Sequence, residues 1–102
     1  MKVINPATEA VIREIKDDND RSLAEKFAQL TRGQRAWAAT SLEERIVVIK
    51  RFAELLEEDS EDLAAILTSE VGKPLKQSKN ELAGARARIQ GTSPGHRSAA
   101  CT

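Results

Sequence analysis

Few residues in this 102-residue chain are suited to chemistry: one cysteine, one histidine, a Gly-Lys pair and some clusters of charge. Cys101 and His96 stand five positions apart. A nucleophilic thiolate needs a partner that keeps it ionised and a rigid element to mount it. Both residues fall in the stretch 91–102, which holds Gly, Pro, Ser and Thr but no leucine, isoleucine, valine or aromatic residue. Nothing there fixes the pair, so the expectation is an incidental free thiol. One cysteine and one histidine also cannot close a metal site without several carboxylates. The acidic stretches Asp17–Asp20 and Glu57–Asp62 lack the spacing of a calcium loop and read as solvated turns and helix ends.

Gly72-Lys73 would suit a phosphate loop only with a glycine five residues earlier and a Ser or Thr following. Leu67 and Pro74 occupy those places. The run Glu70-Val71-Gly72-Lys73-Pro74 reads instead as the stop of one helix and the start of the next. Lys76, Lys79, Arg86 and Arg88 give the last helix a basic side, but Glu70 and Glu81 are near, so a solvated face is the expectation. Trp37 continues the stripe of Phe27 and Leu30 and reads as a packing anchor. No catalytic, cofactor-binding or metal-ligating residue is therefore expected.

Composition narrows the classes further. Sixteen basic and sixteen acidic residues give zero formal charge, which disfavours nucleic acid and anionic lipid as partners. Aromatic residues are 3%, too few for a stacking platform. Hydrophobic residues are 40% and charged residues 31%, within the globular range. No apolar run approaches the roughly 20 residues of a membrane span, and Met1–Asn5 lacks the apolar core of a secretory signal. A single cysteine excludes an internal disulfide and suits a reducing, cytoplasmic setting.

The elements that would position any site are mostly helices. Residues 2–16 read as a short β-hairpin or ribbon. Asn5-Pro6-Ala7-Thr8 supplies the turn, and Val11, Arg13 and Ile15 alternate with Ile12, Glu14 and Lys16. Asp20 or Ser22 is expected to cap a helix reaching about Ala39, with Leu23, Phe27, Leu30 and Trp37 on one stripe. Gly33 costs that helix about 1 kcal/mol relative to alanine. Ser41-Leu42-Glu43-Glu44 is a capping box for a second helix. Its apolar positions are Leu42, Ile46, Ile49, Phe52, Ala53 and Leu56. Asp59 or Ser60 caps a third helix with Leu63, Ile66, Leu67 and Val71 inside. Gly72 fits its C-terminus and Pro74 the first turn of a fourth helix, where Leu75, Leu82 and Ile89 repeat. The expected fold is mainly α: about four amphipathic antiparallel helices with a short N-terminal β-ribbon. Residues 1–90 form this segment and 91–102 a flexible tail.

In order and spacing, several of these segments resemble the N-terminal part of the NAD(P)-dependent aldehyde dehydrogenase superfamily, with a semialdehyde dehydrogenase flavour. The likeness rests on Ile4-Asn5-Pro6-Ala7-Thr8-Glu9 with Val11-Ile12, on Gln34-Arg35-Ala36-Trp37, and on Leu42-Glu43-Glu44-Arg45 through Arg51-Phe52-Ala53-Glu54-Leu55-Leu56. It ends with Thr68-Ser69-Glu70-Val71-Gly72-Lys73-Pro74-Leu75 and Glu81. It implies a piece of an α/β cofactor-binding domain. It also implies a parent enzyme in which a cysteine thiolate attacks an aldehyde, hydride passes to NAD or NADP, and a glutamate activates the water that releases the acid. None of those residues, nor the family's Gly-Ser-x-x-x-Gly phosphate motif, matches a position here. The polar run after Gln90 departs from the family's pattern, so a truncated, inactive relative is the expectation. The alternative is a standalone helical interaction or oligomerisation module that self-associates through its apolar helix faces.

Overall fold

A computed structural model describes residues 1–91, so the cysteine, the histidine and all of the tail expected over 91–102 except Gly91 lie outside them. Two strands, β1 (Lys2–Ile4) and β2 (Val11–Glu14), precede four helices: α1 (Asp20–Ala39), α2 (Leu42–Glu58), α3 (Ser60–Val71) and α4 (Leu75–Gly91). The fold is mainly α with an N-terminal ribbon, as the periodicities indicate.

β1 and β2 pair antiparallel, Lys2 opposite Glu14 and Val3 opposite Arg13, with an irregularity between Val3 and Ile4 that sets Ile4 opposite Val11. The turn between them is built by Asn5. Its side-chain oxygen accepts from the Ala7 amide at 2.9 Å, and its carbonyl accepts from the Glu9 amide at 2.8 Å. Glu9 adopts a positive φ of 61° to complete the reversal.

Local signals set the helix boundaries, with one correction. Asn19, not Asp20 or Ser22, caps α1: its side chain accepts from the Ser22 amide, and the Ser22 hydroxyl accepts from the Asn19 amide. Ser22 is therefore the third helical residue of a reciprocal box, with Glu25 outside it. At α2 the Ser41 hydroxyl accepts from the Glu44 amide at 3.2 Å and donates to the Glu44 carboxylate. α3 starts at Ser60 after Asp59, whose side chain makes no capping bond. Gly72 ends α3 at φ 74°, the left-handed geometry that L side chains resist. The Pro74 carbonyl then accepts from the Gln77 and Ser78 amides, so proline lies just before α4 and opens it.

Packing concentrates in α2, α3 and α4, with α4 lying against both others. The fully covered residues are small: Ala53 on α2, Ala64 on α3 and Ser78 on α4. Small side chains at helix crossings let the axes approach closely. Across one crossing the Thr68 and Ser78 hydroxyls share a hydrogen bond of 2.9 Å. Leu56, Leu63, Leu67, Leu82 and Ile89 surround these contacts half-buried. Ile66 and Val71, expected on the inner stripe of α3, are exposed, because the covered face of that helix runs through Leu63, Ala64 and Leu67. Leu75, which repeats with Leu82 and Ile89, is exposed too, since the inner face of α4 runs through Ser78, Leu82, Arg86 and Ile89.

The ribbon meets this bundle at one close approach. A Cβ built on Gly72 would lie 2.9 Å from Pro6 Cγ, inside contact distance. α1, by contrast, touches the other elements sparsely and has no buried residue. The Cα radius of gyration is 18.0 Å, against about 13 Å for a compact chain of this length. No helix among the described residues is long and apolar enough to cross a membrane.

Two substitutions test this packing by urea unfolding followed by circular dichroism. Gly72→Ala should cost about 1–2 kcal/mol from the left-handed backbone alone and release the ribbon from the bundle. Ser78→Ala should cost about 1 kcal/mol, the net worth of one hydrogen bond. An unchanged midpoint for Gly72→Ala would contradict both the left-handed penalty and the Pro6 contact.

Candidate functional site

The run Glu70 to Pro74 is spent on structure. Gly72 turns the chain, Pro74 starts α4, and the Lys73 ammonium pairs with the Glu81 carboxylate. Lys73 thus makes its ion pair within the protein. The basic side of α4 is likewise drawn into interhelix pairing. Lys79 bonds Glu61 of α3 at 2.9 Å, and Arg86 pairs through Nη2 with Glu57 of α2. The acids that meet this face come from α2 and α3, which local sequence could not reveal.

The hydroxyl pair Thr68 and Ser78 is unsuited to nucleophilic chemistry. Ser78 is wholly buried, and its hydroxyl faces another hydroxyl and no base. Among the described residues no group of three or more His, Cys, Asp or Glu side chains could hold a metal ion. Among the described residues two groups have displaced proton affinities, and both are surface groups. Hydrogen bonds from Lys26 and then Ser22 hold the Asp18 carboxyl below its ordinary range, while Glu54 and Glu58 hold the Arg51 guanidinium above its own. Neither shift brings a group toward neutrality, as general acid–base work requires.

What the described residues do present is apolar surface. Leu23, Phe27, Leu30 and Trp37 on α1 are 55%, 72%, 70% and 41% exposed. A shallow groove of about 610 Å³ beside them is lined by Lys26, Gln29, Leu30, Gly33, Gln34 and Trp37. A second stripe, Val48, Phe52 and Leu55, lies open along α2. A cleft of about 320 Å³ between α2 and α4, lined by Lys50, Ala53, Glu54, Arg86, Ile89 and Gln90, is smaller and partly filled by charge. The geometry therefore offers docking faces and no assembled catalytic cluster among the described residues. The α1 stripe was legible from its spacing. Its exposure was not, because periodicity says which residues share a face and not what covers it.

Comparison with known proteins agrees with the sequence pattern. A family model described as "Aldehyde dehydrogenase family" matches residues 1–92. Glutarate-semialdehyde dehydrogenase of Pseudomonas putida is 34% identical over 90 residues, which is 88% of this chain and 19% of that protein. N-succinylglutamate 5-semialdehyde dehydrogenase of Paraburkholderia xenovorans is 37% identical over 90 residues, 84% of this chain and 18% of its own length. The protein of that name from Burkholderia lata is 32% identical over 85 residues. The chain thus spans about a fifth of the length of these curated relatives. No solved structure matches it significantly.

The Asp18 cluster gives a pH prediction. The Lys26 ammonium lies 2.7 Å from Asp18 Oδ2, and the Ser22 hydroxyl donates to Oδ1 at 2.8 Å. A carboxyl whose folded pKa is depressed adds stability above its unfolded pKa and loses it as pH falls through the folded value. The first turn of α1 should therefore fray below about pH 4, while α2 to α4 stay formed. Amide exchange at Ser22 and Lys26 reads this directly, and Asp18→Asn should remove the acid step. An acid step that persists in that variant would assign it to another group.

Proposed function

Because this chain belongs to the aldehyde dehydrogenase family, we propose that it serves as a structural piece of that fold and not as a self-sufficient enzyme. It supplies the ribbon and four helices, and the chemistry belongs to residues that no position here matches. The observation that carries this reading is the imbalance between core and apolar surface. Among the described residues only Ala53 and Ala64 of the apolar side chains are buried, while whole stripes on α1 and α2 stand open. Burying a leucine or phenylalanine stabilises by about 1.5–3 kcal/mol, so such faces are built to be covered by further protein.

The whole protein's reaction follows from the family: oxidation of an aldehyde to an acid with NAD or NADP. Its substrate class is a semialdehyde that carries a carboxylate, by analogy with relatives whose names specify glutarate semialdehyde and N-succinylglutamate 5-semialdehyde. A reducing, cytoplasmic setting suits a chain with a single cysteine.

The test is direct. The purified 102-residue chain is mixed with NAD or NADP and with glutarate semialdehyde or a simple aliphatic aldehyde. No NAD(P)H should form above the buffer rate. Turnover that persists through purification would sink the reading, because it would require a mounted nucleophile.

The exposed stripe on α1 favours a second role, that of a helical interaction module that self-associates. Sedimentation velocity over a wide concentration range reads this independently of activity. A clean monomer at the highest concentration would end it.

A further inference from the structure

We draw no further inference here: the strongest candidate, the apolar stripe of Leu23, Phe27, Leu30 and Trp37 along α1 with its shallow groove, carries nothing because nothing in the structure shows what covers it.

Discussion

The close approach of Pro6 to Gly72 is the contact on which the arrangement of this chain turns. The backbone must reverse between α3 and α4, and it does so with Gly72 at φ 74°. The missing side chain then serves twice. It removes the penalty of left-handed geometry, and it leaves room for the Pro6 ring, which would sit 2.9 Å from any Cβ at that position. A single residue thereby sets the α3–α4 hairpin and gives the ribbon a place to rest. Because an isolated two-stranded hairpin is marginal in water, β1 and β2 depend on that seat. Two of the segments on which the family resemblance rests, Asn5-Pro6 and Gly72-Lys73-Pro74, are thus neighbours in space although far apart in sequence.

From that hinge outward the bundle is held by modest, distributed terms. Ala53, Ala64 and Ser78 let three helices come close. The Thr68–Ser78 hydrogen bond satisfies the polar groups that this closeness would otherwise strand. Lys79–Glu61 and Arg86–Glu57 stitch α4 to its neighbours from the solvent side, where each pair contributes little by itself. Larger residues ring these contacts only half-covered. A bundle of this kind has a defined shape and a thin core, which leaves the apolar stripes of α1 and α2 as its main unsatisfied surface.

The sequence made local features plain and hid the non-local ones. Apolar spacing of three and four marked the first three helices, a seven-residue repeat marked the fourth, and Gly72 and Pro74 marked the break between the last two. The cap of α1 was misplaced by one residue or more because Asn19, Asp20 and Ser22 all have capping side chains; backbone geometry chose Asn19 and used Ser22 as its reciprocal partner. Reading hydrophobicity alone put Ile66 and Val71 inside, where they are exposed, and passed over Ser78. What governs a tight helix crossing is volume, and a serine with a hydroxyl partner fits where a leucine cannot. The seat of Pro6 on Gly72 and the pairing of Arg86 with Glu57 both join residues far apart in the chain, so no local pattern announces them. As for the candidate site, the α1 stripe was visible residue by residue, but its openness depends on what the other helices fail to cover.

The contrast between α1 and the other helices bears on what this family segment is for. A 20-residue helix with a glycine inside it and no buried side chain has little reason to persist alone. Its cap is well made, yet a cap decides where a helix starts and not whether its apolar face is satisfied. The free energy that would hold α1 in place must come from a surface that meets Leu23, Phe27, Leu30 and Trp37. α2 to α4 turn their own covered faces inward, toward Ala53, Ala64 and Ser78, and do not provide it. Relatives about five times longer have more protein with which to cover such a face.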